Sequence, residues 1–273
     1  MRRIILFLAI VIFLSPGVRA AVTDTISTYS SSMEKQIKAV VITPESYDKA
    51  RELPVLYLLH GYSGNYSDWV KKDRFIGRLA DQLDMIIVCP DGGFSSWYFD
   101  SPVNKSIRYE TYITNELIGF IDGKYKTIKN RKGRAITGLS MGGHGALYLA
   151  FRHQDIFGAA GSMSGGVDIR PFPNNWDIKE RLGSYDKNRE NWENNTVINM
   201  VNLLTPKSMA LIFDCGTEDF FFQVNKKLHE ELLYRNIPHD FITRPGGHSW
   251  PYWINSLQYQ ALFFSNFFRE SAQ

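Results

Sequence analysis

The chain has 273 residues, a formal net charge of +3 and 14% aromatic residues, including six Trp. Its basic residues are scattered rather than gathered in a stripe with interleaved aromatics, which argues against nucleic acid as a partner. No internal repeat, low-complexity tract or Pro-rich linker divides the sequence, and its length suits one large α/β core.

At the N-terminus, Arg2 and Arg3 precede the apolar run Ile4 to Leu14, which Ser15, Pro16 and Gly17 break. Val18-Arg19-Ala20 then offers a small residue at a cleavage point. The pattern is that of a secretory leader over residues 1–20, cut after Ala20. The run is short for a bilayer span, and no cysteine follows it to carry a lipid. No other stretch is apolar enough to cross a membrane. A mature domain over residues 21–273, periplasmic or secreted and without stable membrane association once the leader is cut, is the expectation, with a retained N-terminal anchor helix as the alternative.

After an extended N-terminal region, strand-like and helix-like segments alternate. Lys38 to Pro44 reads as an early strand, and Pro54 to Gly61 is a continuous apolar run ending in a glycine turn. Unbroken runs of this kind suit strands buried on both faces of a parallel sheet. Asp73 to Leu83 reads as a helix, and Met85 to Cys89 as a strand stopped by Pro90-Asp91-Gly92-Gly93. Tyr109 to Tyr125 carries Ile113, Leu117, Phe120 and Ile121 at helical spacing. Arg134 to Thr137 is a strand, Gly143 to Phe151 a helix of small residues, and Ala159 to Met163 a strand. Met209 to Cys215 and Phe241 to Thr243 are the last strands. Phe221 to Tyr234 and Tyr252 to Phe268 are the last helices. The alternation predicts an α/β fold with a mostly parallel central sheet and helices on both faces. The stretch at about 168–205, with Pro171, Pro173, Trp176 and Trp192, departs from the alternation and reads as an insertion or small cap over the site. Cys89 and Cys215 end strands several positions apart in such a sheet, so two buried free thiols are expected rather than a disulfide.

Sites in such sheets lie at the carboxyl ends of the strands. His60-Gly61, Asp91-Gly92-Gly93, Ser140, Ser164, Asp219 and His248 all fall at such ends. Within Gly138-Leu139-Ser140-Met141-Gly142, a serine stands between two glycines on a strand-to-helix turn, the setting of an exposed nucleophile. A hydroxyl needs a base, and the usual one is a histidine oriented by a carboxylate. His144 and His153 sit on the helix that starts at the serine. His229 sits within a helix, and His239 precedes a strand. Only His248 lies in a glycine-containing loop after the last strand. The carboxylate is expected between Ser140 and His248, after the preceding strand, where Asp214, Glu218 and Asp219 are available. Asp214 lies inside the strand and reads as a structural partner of loop amides. Asp219 is favoured, with Glu218 behind it. Two backbone N–H donors should receive the oxyanion: Met141, directly after the serine, and Tyr62 in the loop after the earlier strand, with Gly61 as the alternative. His60 reads as a structural brace of that loop.

These residues together resemble the esterase D branch of the α/β-hydrolases. That branch includes S-formylglutathione hydrolases, tributyrin-type esterases, the acetyl xylan and feruloyl esterases of carbohydrate esterase family 1, and the mycolyltransferases. The similar pieces are Leu58-Leu59-His60-Gly61, Trp69, Pro90-Asp91-Gly92, Gly138 to Gly143, Cys215 to Asp219 and Gly247-His248-Ser249-Trp250. The resemblance implies an α/β-hydrolase fold, a serine esterase with Ser140 as nucleophile, Asp219 as acid and His248 as base, and oxyanion donors at Tyr62 and Met141. It also implies a cofactor-free enzyme. No His-Glu-x-x-His or similar spacing points to a metal.

Trp97-Tyr98, Trp176, Trp192 and Trp250 could stack on a sugar or a feruloyl ring, with Trp97, Trp176 and Trp250 as the candidate substrate contacts. The leader fits polysaccharide esterases better than cytosolic glutathione-ester enzymes. The expected substrate is a small-molecule or polysaccharide ester, with acetyl, other short acyl or hydroxycinnamoyl groups. Acyl transfer to a sugar hydroxyl and non-catalytic carbohydrate binding are the alternatives.

Overall fold

Eight strands form one sheet in the order β1-β2-β4-β3-β5-β6-β7-β8. The computed structural model describes residues 20–48 and 50–272, so all but the last residue of the expected leader lies outside the described residues. The strands are β1 (Val22–Ser30), β2 (Lys35–Thr43), β3 (Val55–Leu59), β4 (Ile86–Pro90), β5 (Arg134–Gly138), β6 (Ala159–Met163), β7 (Ala210–Gly216) and β8 (Asp240–Arg244). From β4 to β8 every neighbouring pair is parallel. β1 and β2 form an antiparallel hairpin laid on that edge. Every side chain of β3, β4, β5 and β6 is buried. The unbroken apolar runs of β3 and β4 therefore reflect covering on both faces.

The helices are α1 (Asp68–Lys72), α2 (Ile76–Leu83), α3 (Tyr109–Thr111), α4 (Ile118–Lys124), α5 (Met141–Arg152), α6 (Ile178–Leu182), α7 (Arg189–Asn194), α8 (Phe222–Tyr234) and α9 (Trp250–Ser271). One core packs α2 and α9 on one face of the sheet through Ile76, Leu79, Leu257 and Phe264. The other packs α4, α5 and α8 through Ile121, Leu147, Phe151 and Leu228. A π-helical stretch, Tyr112–Leu117, joins α3 to α4.

The N-terminal region expected only to be extended is strand β1, paired residue for residue from Val22↔Thr43 to Ser30↔Lys35. The helix expected over Asp73 to Leu83 begins only at Ile76, as α2, and a separate short helix, α1, precedes it. Asp73 adopts an extended conformation at the end of α1, and its carboxylate accepts from the N–H of Phe75 at 2.8 Å. Cys89 on β4 and Cys215 on β7 are both buried and unpaired. Three strands lie between them, about 19 Å of sheet. The 168–205 stretch folds into α6, α7 and a short 3₁₀ helix, Val197–Leu203. Its Ile178, Leu182, Trp192, Val197 and Val201 are buried in the same core as α5, so most of the stretch is packed against the sheet layers.

Chain direction through the sheet locates the site. From β3 the chain moves outward to β4, and from β5 it moves the opposite way to β6. The connection after β3 leads to α2 on one face, and that after β5 leads to α5 on the other. The two loops part at the carboxyl ends of β3 and β5, which opens the crevice where open α/β sheets bind ligands.

Glycines let those two loops touch. A Cβ on Gly142 would lie 2.5 Å from the carbonyl oxygen of His60, and one on Gly138 would lie 2.6 Å from that of Gly142. Both are backbone atoms that cannot swing aside. The Gly142→Ala variant is expected to lose about 1–3 kcal/mol of stability, read as a Tm several degrees below wild type. An unchanged Tm would show that this approach is not tight.

Candidate active site

Ser140 follows β5 with φ 55° and ψ −117°, a strained conformation for a residue with a Cβ. Its N–H donates to the carbonyl of Met163 at 2.9 Å, and its own carbonyl accepts from the N–H of His144 at 3.0 Å. The chain thus reverses from β5 into α5 around the serine and leaves its hydroxyl in the crevice.

The hydroxyl has a partner. His248 Nε2 lies 2.8 Å from Ser140 Oγ, and His248 Nδ1 lies 2.8 Å from Asp219 Oδ2. With Nδ1–H donating to the carboxylate, Nε2 is left as the acceptor for the serine proton. Asp219 is itself oriented, since its Oδ1 accepts from the N–H of Phe221 at 2.8 Å. The imidazole sits between aromatic rings, 4.3 Å from Phe220 and 4.9 Å from Trp253 by centroid. Glu218, the second choice for the carboxylate, is exposed, and its N–H donates to the Gly246 carbonyl at 3.0 Å.

Asp214 is buried under this arrangement, with partners other than the expected loop amides. Its carboxylate accepts from Ser256 Oγ at 2.5 Å and Gln260 Nε2 at 2.7 Å, both on α9. Arg244 lies 3.5 Å away at the end of β8. Burial raises the Asp214 pKa against these lowering contacts. The cluster ties β7 to α9 and β8, which bracket the loop that carries His248.

The two backbone N–H groups expected at the oxyanion belong to Met141, directly after the serine, and to Tyr62, which lines the cavity beside it. That of Met141 opens the twelve-residue α5, where the helix dipole favours negative charge. That of Tyr62 sits in a turn closed by Gly64 N–H to the Gly61 carbonyl at 3.1 Å. Among the described residues, neither N–H has an acceptor. His60 braces the turn. Its Nδ1–H donates to the Gly61 carbonyl at 2.7 Å, and its Nε2 accepts from the N–H of Gly92 at 2.7 Å. Burial lowers its pKa, which suits the neutral ring that this pattern requires.

A cavity of about 540 Å³ opens beside Ser140 and His248, with Tyr62, Trp176, Phe220 and Trp250 on its walls. Trp176 stacks on Phe220 with ring centroids 5.5 Å apart. Trp97, expected at the substrate, is instead 1% exposed. Trp97 and Tyr98 both have positive φ, and the Trp97 ring lies against His144 at 5.3 Å. Its indole N–H donates to the carbonyl of Trp176 at 3.0 Å, so it supports the wall from behind. Ser164 is likewise buried, with its N–H on the Asp214 carbonyl at 2.8 Å. Of the 168–205 stretch, only Trp176 reaches the cavity.

Sequence reasoning passed over Phe220, Trp253 and Asp177. Phe220 directly follows Asp219, a signal of position that its side chain alone did not carry. Asp177 accepts from Tyr62 Oη at 3.2 Å, which fastens the turn after β3 to the inserted stretch.

A strand-to-helix serine elbow on this sheet, in reach of a histidine and a carboxylate from later loops, defines a serine hydrolase of the α/β-hydrolase fold. The Esterase family model matches residues 30–264, and the chain belongs to that family. It is similar to an acetyl esterase of Caldicellulosiruptor saccharolyticus, 29% identical over 84% of this chain and 92% of that protein. A solved ferulic acid esterase is 31% identical with a TM-score of 0.79, over 91% of this chain and 98% of its own. An S-formylglutathione hydrolase from Agrobacterium tumefaciens shares the fold, with a TM-score of 0.78 at 21% identity over 93% and 98% of the two chains. The protein is a serine carboxylic ester hydrolase. Among the described residues, no group of His, Cys, Asp and Glu could hold a metal ion, and no helix is long and apolar enough to cross a membrane.

The Tyr62–Asp177 bond gives a test of how the turn is held. Tyr62→Phe and Asp177→Ala should each lower kcat/KM on a chromogenic acetate ester by about threefold to tenfold. The double variant should be no worse than either single one. Multiplying losses would show that the two side chains act separately.

Proposed function

We propose that the protein is an exported esterase that hydrolyses neutral esters, short acyl or hydroxycinnamoyl, carried on oligosaccharide or polysaccharide. The reaction runs through an acyl-enzyme on Ser140. The observation that carries this reading is the continuous Ser140–His248–Asp219 hydrogen-bond chain, with 2.8 Å at each step, opening on an aromatic cavity.

In the first half, Ser140 Oγ attacks the ester carbonyl carbon as His248 Nε2 takes its proton. The carbonyl electron pair moves to oxygen, and the N–H groups of Met141 and Tyr62 receive that charge. Collapse re-forms the carbonyl and breaks the bond to the alcohol oxygen, which His248 protonates. In the second half, water attacks the acyl-enzyme with His248 as base, and the acid leaves as Ser140 regains its proton. Asp219 stays ionised throughout and stabilises the imidazolium.

The cavity walls support the substrate class. Among the described residues they carry no Lys or Arg, and Asp68 lines one side. A glutathione ester, with its carboxylates, would meet a carboxylate and no cation there. Trp176, Phe220 and Trp250 present ring faces that suit a sugar or a phenolic acyl group. About 540 Å³ exceeds the space an acetyl group fills. The acetyl esterase and ferulic acid esterase relatives fit the same reading, and the leader pattern supports export.

Rates on acetylated xylan, methyl ferulate and S-formylglutathione test the substrate class. The two neutral esters should exceed the thioester in kcat/KM by at least about tenfold, and a preference for S-formylglutathione would overturn the assignment. For the machinery, Asp219→Asn should lower kcat by about 10³- to 10⁴-fold, while Glu218→Gln should stay within about twofold of wild type. Equal losses in the two variants would contradict the choice of Asp219.

A further inference from the structure

The junction between the leader and β1 has a geometry that the ester chemistry does not use. Ala20 is exposed and Ala21 is half-buried. The Ala21 N–H donates to Asp81 Oδ2 on α2 at 3.1 Å. The other oxygen of that carboxylate accepts from the N–H of Glu45 at 2.7 Å. One residue further on, Val22 pairs with Thr43 at the start of the sheet ladder. The methyl of Ala21 lies against α2 at Gly77, 3.4 Å from where a Cβ there would stand. The nitrogen of Ala21 is therefore held between the ladder on one side and a carboxylate on the other. Ala20 lines an open groove together with Asp24, Glu45 and Lys124, so the surroundings are net acidic.

We propose that cutting the Ala20–Ala21 bond produces an α-ammonium which Asp81 holds as an ion pair, so that removal of the leader strengthens the seating of β1 on the fold. The proposal rests on the export reading given above. Hydrolysis of the bond consumes one water. Ala20 leaves with the leader as a carboxylate, and Ala21 keeps the amine, which takes up a proton because α-amino groups titrate near 8. A neutral amide with one N–H becomes a charged group with three. Charge-assisted hydrogen bonds are roughly twice as strong as neutral ones. The scissile bond lies outside β1, so cleavage removes no hydrogen bond of the sheet.

The test has two arms. The full chain, made with its own leader in an exporting bacterium, is first read by intact mass. The mass of residues 21–273 is expected. A different start overturns the proposal, and an intact leader overturns the export reading with it. In the second arm, the mature chain and its N-acetylated form are melted, each as wild type and as Asp81→Asn. Acetylation of the wild type should lower Tm by about 2 °C, and it should change nothing in the Asp81→Asn background. Equal effects of acetylation in both backgrounds, or none in either, would overturn the ion pair and leave export and ester hydrolysis standing.

Discussion

The backbone at Ser140 is the constraint on which the rest of the site depends. A residue with a Cβ sits at φ 55°, a conformation that persists only where surrounding structure holds it. The restraints come from three elements. β6 accepts the Ser140 N–H. The carbonyls at the end of β3 press on α5 where Gly142 leaves room. The first turn of α5 closes on the Ser140 carbonyl. The same contacts that force the turn bring the Tyr62 turn beside the serine, so Ser140 and the N–H groups proposed to receive charge share one mechanical origin. Gly138 and Gly142 are required by close backbone approach, and their φ angles are ordinary.

His248 and Asp219 arrive from the other half of the sheet, and their placement depends on a buried anchor. Asp214 holds Ser256 and Gln260 on α9 and faces Arg244. These contacts fix the helix that begins two residues after His248. Asp219 lies five residues beyond Asp214 on the same strand-and-turn segment. One short stretch of chain thus supplies both the structural carboxylate and the one that touches the imidazole. The difference is position: Asp214 lies within β7 against helix side chains, and Asp219, also buried, lies past the turn at Gly216.

Much of this was legible in the sequence, because the signals were local. Apolar runs marked β3 and β4, the alternation with helices marked β5 to β7, and glycines on both sides of Ser140 marked the elbow. A single histidine in a glycine loop after the last strand marked His248. What escaped depended on partners distant in the chain. β1 alternates on one face only, so its side chains carry a weak signal until β2 pairs with it. Trp97 looked like a ligand contact because Trp is large and close to a strand end, yet a double left-handed turn at Trp97 and Tyr98 sends it inward. The Tyr62–Asp177 bond spans 115 positions, and nothing near either residue announces it. The 168–205 stretch read as an insertion or small cap because it broke the alternation, and its buried apolar residues pack with α5.

The central claim is that Ser140 is the nucleophile. Intact-mass analysis after exposure to a fluorophosphonate tests it directly. The wild-type chain should gain one phosphonyl adduct, mapped to the peptide containing Ser140, and Ser140→Ala should gain none while keeping the wild-type Tm. Labelling of a folded Ser140→Ala chain at the wild-type rate would contradict the account.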